Sequence, residues 1–217
     1  MAFSFELLLY FVLLSIGAFF TLRNWNCLTV SDRHIGILVL LTVISEITAE
    51  VLSAKIRNNM YVYHVYSPLE FVLISLYFNN RIEALKNRNI GILIALAGII
   101  VAGLNTIFVQ RPNSLNSNFL LFEALVIICL CVYSFYKIIK DEHEKTVTSV
   151  HFWVTSLLLF YWSFVFFFWG AYSIFTAEKP SFFYDLFYLL WFINILTYGG
   201  FALVFMKYKK LTSRVDE

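Results

Sequence analysis

Seven continuous apolar stretches, divided by short polar segments, set the pattern of this chain: 5–22, 34–54, 62–80, 90–109, 118–138, 151–176 and 182–206. Each has roughly the 20 residues that a helix needs to cross a hydrocarbon layer. The runs are unbroken, unlike the alternating ten-residue segments of a membrane β-barrel. The pattern therefore predicts an all-α, polytopic membrane protein, a seven-transmembrane-helix bundle forming a single domain over 1–217. The first stretch is not expected to be a signal peptide. No basic residue precedes it, Glu6 stands where a positive leader would be, and no small-x-small cleavage site follows.

Composition agrees with this picture. The 217 residues are 60% hydrophobic, 19% aromatic and only 14% charged, against roughly 25% charged in soluble chains. With 24 Phe, 8 Gly and 3 Pro, disorder and collagen-like sequence are excluded. The segments between the stretches are short, the longest being the charged one around Lys140–Thr148. No room is left for a nucleotide-binding, kinase or DNA-binding domain, and no P-loop, dinucleotide fingerprint or GxSxG elbow occurs. Cys27 falls in a loop, while Cys129 and Cys131 lie two apart on one helix and point to different faces. That spacing suits neither a disulfide nor a zinc site.

The basic residues predict a sidedness. With the N-terminus outside and the C-terminus cytoplasmic, the inner side holds Arg23, Arg33, Arg81, Lys86, Arg88, Lys137, Lys140, Lys145, Lys207, Lys209, Lys210 and Arg214. The outer side holds Lys55, Arg57, Arg111 and Lys179. Lysine and arginine concentrate in the short cytoplasmic loops of membrane proteins, so span count and orientation support each other. The run Lys207-Tyr208-Lys209-Lys210 reads as a topology anchor.

Ionisable residues inside a membrane are costly unless paired or hydrated, and so carry the functional information. The predicted spans hold no Lys or Arg in their interiors, but they contain Glu6, Glu46, Glu50, Glu70, Glu123 and Asp185, with His64 and His151 near span ends. At a rise of about 1.5 Å per residue, Glu50 lies roughly 6 Å and Glu46 roughly 12 Å below the outer end. On the same rise Glu70 lies about 12 Å down, Glu123 about 8 Å and Asp185 about 5 Å. All six acids fall in the outer half or near the midplane.

Thr42, Glu46, Glu50 and Ser53 recur at i, i+4, i+8 and i+11, on one helix face. Such a stripe should face the bundle interior, and Glu46 and Glu50 are close enough to repel when both are ionised. Either one keeps its proton or a cation sits between them. Two readings stand at Glu70. Ser67-Pro68-Leu69-Glu70 has the form of a capping box, in which Glu70 merely caps a helix starting there. Alternatively the helix begins near Tyr61, and Pro68 leaves the His64 carbonyl without its helical partner. The tyrosines of Tyr61-Val62-Tyr63-His64-Val65-Tyr66 suit an aromatic interface belt. Glu6 and Asp185 sit in first turns of helices, where the macrodipole favours an acid.

His64 with Glu50 and Glu70 would make an imidazole–carboxylate metal site, although no HExxH or HxxxH spacing supports it. Asn105, and Asn194 with Thr197, either hydrogen-bond between helices or line the same cavity. Phe164–Trp169 reads as lipid-facing and core bulk, and Gly170-Ala171 and Gly199-Gly200 as points of close helix packing. The last span contains no lysine to hold retinal and no histidine to ligate a metal.

The expectation that follows is a multi-pass protein of the cytoplasmic (plasma) membrane. Its outward-facing, carboxylate-lined cavity binds or transports a small cationic or proton-coupled ligand through Glu46, Glu50, Glu70, Glu123, His64, Thr42, Asn105 and Asn194. Two alternatives remain open: an accessory or signalling subunit acting through a partner protein, and an intramembrane enzyme in which a metal or carboxylate pair activates water. No catalytic residue is assigned. No cofactor and no nucleic acid are expected. The expected partners are the lipid bilayer, a ligand from the outer side, and a second membrane protein or a second copy of this chain.

Overall fold

The computed structural model describes residues 5–140, 149–175 and 180–213, with their side chains except at 173–187 and 213. Lys145, Lys179, Arg214 and the side chain of Asp185 lie outside the described residues. Among the described residues the chain is helical, with no strand. The helices are α1 (Phe5–Asn24), α2 (Val30–Ile56), α3 (Met60–Arg81), the short α4 (Glu83–Lys86), α5 (Ile90–Leu104), α6 (Ser117–Lys140), α7 (Val150–Phe175), α8 (Pro180–Met206) and the short α9 (Tyr208–Ser213). Six segments are long and apolar enough to cross a membrane: Phe5–Cys27, Val30–Ile56, Ile90–Val109, Ser117–Lys140, Val150–Tyr172 and Tyr188–Met206. The chain is thus consistent with a helical, multi-pass membrane protein.

The expected span 62–80 is a helix, α3, but it is not one of the six. Its tyrosines, Ser67, Ser75, Asn79, Asn80, His64, Pro68 and Glu70 lower its hydropathy below that of its neighbours. The polar residues reflect its position: Tyr66, Ser67, Glu70, Ser75, Tyr77 and Asn79 are all buried.

The helix ends differ from the hydropathy reading by a few residues, for local reasons. α2 begins at Val30, ahead of the apolar run, because the Thr29 side chain accepts from the backbone N–H of Asp32 at 3.2 Å and Thr29 Oγ1 donates to Asp32 Oδ2 at 2.6 Å. This is a carboxylate version of the N-terminal cap, which satisfies donors the helix leaves open. α2 closes on Arg57, whose left-handed backbone (φ 56) lets its N–H reach the carbonyl of Ser53. α5 is followed by a π turn, Asn105–Val109, in which the Gln110 N–H reaches the Asn105 carbonyl at 2.7 Å.

The chain divides into two compact units, Leu28–Glu123, and Met1–Cys27 with Ala124–Glu217, the division falling inside α6. In the unit Leu28–Glu123, α3 packs against both α2 and α5. The contacts of Gly91 with Asn79, of Gly98 with Phe71 and of Thr106 with His64 set α3 and α5 antiparallel. Gly91, Ala95, Gly98 and Ala102 form the buried face of α5, at i, i+4, i+7 and i+11. Small residues let two backbones approach closely inside a membrane, and here the need is specific. A Cβ at Gly98 would run into the Phe71 ring, and one at Gly91 into Asn79, whose Oδ1 accepts from the Gly91 N–H at 3.0 Å. The first turns of α6 run parallel to α3, with Asn116 on Tyr63 and Ser67, and Phe119 and Phe122 on Phe71.

In the other unit α8 packs against α1 and α7. Tyr10 meets Trp191 and Tyr198 edge-on, at 5.4 and 5.6 Å between centroids, and Asn24 Nδ2 donates to the Phe205 carbonyl at 2.8 Å. α1 and α8 therefore run in the same direction. Gly200 takes the close approach expected of it, against Leu157 of α7, and Gly199 lies near Leu13. Among the described residues, no atom lies within 4 Å of where a Cβ on Gly170 would be. The aromatic run of α7 is divided between the two roles expected of it: Phe167 is exposed, while Val165 and Phe168 are buried. Cys129 is exposed and Cys131 buried, on different faces of α6, and neither they nor Cys27 form a disulfide.

Candidate functional site

α3 begins at Met60, whose N–H is received by Asn58 Oδ1 at 2.9 Å. Pro68 therefore lies inside the helix and removes the N–H that would have met the His64 carbonyl. This decides between the two readings of Glu70. It is not the third residue of a capping box. It sits in the helix interior with a side chain 5% exposed.

Around Glu70, three helices of the unit Leu28–Glu123 bring the predicted acids together. Thr42 Oγ1 on α2 lies 2.8 Å from the Tyr66 hydroxyl on α3, and Tyr66 hydrogen-bonds in turn to the Glu70 carboxyl one turn further on. Glu46 and Glu123 are both within electrostatic range of Glu70, and Glu46 and Glu50 are both within range of Tyr63. Helix geometry explains the convergence. Side chains tilt toward the N-terminus of their own helix, and α2 and α3 are antiparallel, so Glu46 leans along the pair in one sense and Glu70 in the other. Glu123, on the parallel α6, leans the same way as Glu70.

Burial is graded across the group. Glu46 and Glu50 are partly buried, Glu70 is nearly enclosed, and Glu123 is 0% exposed. Neither carboxylate oxygen of Glu123 has a hydrogen-bond partner. Burying such a group without a partner costs about 1–3 kcal/mol on mutational scales, and more when it is charged.

The hydroxyl chain next to Glu70 can run in two senses. Thr42 Oγ1 also reaches the Leu38 carbonyl, at 2.8 Å. Each hydroxyl has one proton to donate. With Thr42 donating to Leu38, Tyr66 donates to Thr42 and can only accept from a protonated Glu70. With Glu70 ionised, Tyr66 donates to it and Thr42 turns to Tyr66. An ionised Glu70 thus allows only one sense of the chain, whereas a protonated Glu70 allows either.

The other predicted residues lie elsewhere. His64 turns both ring nitrogens away from the acids, Nδ1 to Thr106 Oγ1 and Nε2 to the Ser114 carbonyl, each at 2.9 Å. Among the described residues no three His, Cys, Asp or Glu side chains are grouped to hold a metal ion, so His64, Glu50 and Glu70 do not come together as one. Asn105 is buried in the π turn, where its Nδ2 donates to Gln110 Oε1 at 3.1 Å and Gln110 Nε2 continues to Ser117 Oγ. Asn194 is on α8, in the other unit. Glu6 is exposed at the start of α1. His151 is buried against Ser134, 2.8 Å from Nε2 to Oγ, also in the other unit.

Sequence reasoning missed Tyr63 and Tyr66, which it placed in an interface belt. Tyr61 is exposed and suits that belt, but Tyr66 is buried. The signal was present in the spacing, since Tyr63, Tyr66 and Glu70 fall on one face at i, i+3 and i+7. Comparison with protein-family models, with curated proteins and with solved structures finds no match to this chain.

Proposed function

We propose that this is a seven-span membrane protein, N-terminus outside and C-terminus cytoplasmic, that binds or transports a small cationic or proton-coupled ligand. The ligand enters from the outer side and meets Glu46, Glu50, Glu70 and Glu123, with Thr42 orienting Tyr66 and Glu70. The observation that carries this reading is Glu123, a fully buried acid whose two oxygens lack hydrogen-bond partners beside a second buried acid, Glu70.

Three features support the topology. α3 has 22 residues, about 33 Å at 1.5 Å per residue, enough to cross the bilayer beside α2 and α5. The antiparallel pairs α2–α3 and α3–α5 and the parallel pair α1–α8 match the directions that seven crossings require. The division of basic residues between loops agrees with that sidedness. The test is thermal unfolding of the purified protein against a panel of small organic and inorganic cations. At least one should raise the midpoint, and E46Q or E50Q should abolish the rise. The same rise in both variants would overturn the site.

A further inference from the structure

The four acids form a ladder and not a ring. Glu50 and Glu46 are one turn apart on α2, about 6 Å along the axis. The hydrogen bonds of Asn116 to Tyr63 and Ser67 fix the register of α6 on α3 and put Glu123 level with about Ile74. Glu123 is therefore also about one turn, ~6 Å, from Glu70. Glu46 and Glu70 lean toward each other across the middle step. A calcium ion would need six to eight oxygens drawn to roughly 2.3–2.6 Å and a magnesium ion six at about 2.0–2.1 Å, and no three His, Cys, Asp or Glu side chains are grouped to hold a metal ion among the described residues. An extended array of acids suits an extended ligand with more than one positive charge.

The groups between the rungs fit the same ligand. Tyr63 is within electrostatic range of Glu46 and Glu50, and Tyr66 is hydrogen-bonded to Glu70. A phenol ring offers an apolar body to methylene groups and an electron-rich face to an ammonium. At the deep end, Glu123 has two acceptor oxygens without a donor, and an ammonium brings three donors. The stretches Thr42–Ser53 of α2, Tyr61–Asn80 of α3 and Ser117–Glu123 of α6 contain no lysine or arginine.

We propose that the ligand is a linear aliphatic diamine or longer polyamine lying along this ladder, with one ammonium at Glu46 and Glu50 and the next at Glu70 and Glu123. The proposal rests on the reading of these four acids as a cation site. The test is the unfolding midpoint of the full-length protein in detergent, titrated with 1,4-diaminobutane, n-butylamine, sodium chloride or magnesium chloride at equal ionic strength. The diamine should act at a concentration at least about tenfold below the monoamine, the effect of one further ammonium–carboxylate pair worth about 1.4 kcal/mol. In E123Q the diamine should lose this advantage while the monoamine keeps its effect.

Equal potency of diamine and monoamine on the wild type would overturn the ladder and leave a simpler cation site standing. No stabilisation by either amine would overturn the ladder, and a panel without any active cation would remove the cation site too. Stabilisation by magnesium alone would replace the polyamine with an ion. Should E123Q fail to fold, diamines of two to six carbons on the wild type decide the matter: a clear optimum of length supports the proposal, and a flat series overturns it.

Discussion

The Tyr66 hydroxyl lies 2.8 Å from Thr42 Oγ1 and on its other side bonds the Glu70 carboxyl, so one phenol ties α2 to the buried acid of α3. Y66F removes that tie, so that Glu70 loses the Tyr66 hydrogen bond while Thr42 Oγ1 keeps the Leu38 carbonyl. It should lower stability by about 1–3 kcal/mol, the cost of an unsatisfied buried group. T42V should cost less than the sum of its own effect and that of Y66F when the two are combined, because they share one interaction. Thermal unfolding of the single and double variants measures the coupling, and strict additivity would show that the chain is not energetically connected.

Gly98 and Gly91 hold α5 close to α3. G98A should destabilise by about 1–3 kcal/mol through overpacking against the Phe71 ring, and F71L should recover part of the loss. Gly103 has open space where its Cβ would be, so G103A should be neutral or mildly stabilising, in line with the higher helix propensity of alanine. Equal midpoints for G98A and G103A would contradict the close approach.

The His64 ring joins α3 to Thr106 and to the Ser114 carbonyl. H64A should therefore lower stability by about 1–3 kcal/mol through the lost hydrogen bonds, yet leave the cation-dependent rise in midpoint intact. Loss of that rise at unchanged stability would put His64 in the binding site, against the geometry.

Glu123 is fully buried with no hydrogen-bond partner on either carboxyl oxygen, which costs stability. E123L, which replaces a buried acid lacking partners with an apolar side chain of similar size, should raise the unfolding midpoint by the equivalent of about 1–3 kcal/mol while weakening ligand binding. Such opposition between stability and function is expected where a site carries unsatisfied groups. A destabilised E123L with normal binding would argue that Glu123 has a structural role.

If α3 crosses the bilayer, the segments on either side of it lie on opposite faces. Single cysteines at Arg57 and Asn87, placed in a chain without its three native cysteines, should be labelled by an impermeant reagent from opposite sides of sealed vesicles. Labelling of both from one side would remove α3 from the set of spans and reverse the expected sidedness beyond it.

Much of the architecture was determined by the sequence alone. Continuous apolar runs require helices in a membrane, because backbone groups must be satisfied within the segment itself. The 3.6-residue period places Thr42, Glu46 and Glu50 on one face without reference to any other helix. What a period cannot supply is the partner. Ser67-Pro68-Leu69-Glu70 reads equally well as a cap or as a kinked interior, and only the helix start at Met60 separates the two. His64 is close in sequence to Tyr63 and Tyr66, but at its helical position it faces Thr106 and not the acids. The convergence of Glu46, Glu70 and Glu123 depends on the antiparallel and parallel registers of α2, α3 and α6, and those are set by contacts such as Thr42 with Tyr66 and Asn116 with Ser67. Local chemistry determines which residues are exceptional, while long-range packing decides which of them meet, because register between helices is a property of their contacts and not of either helix alone.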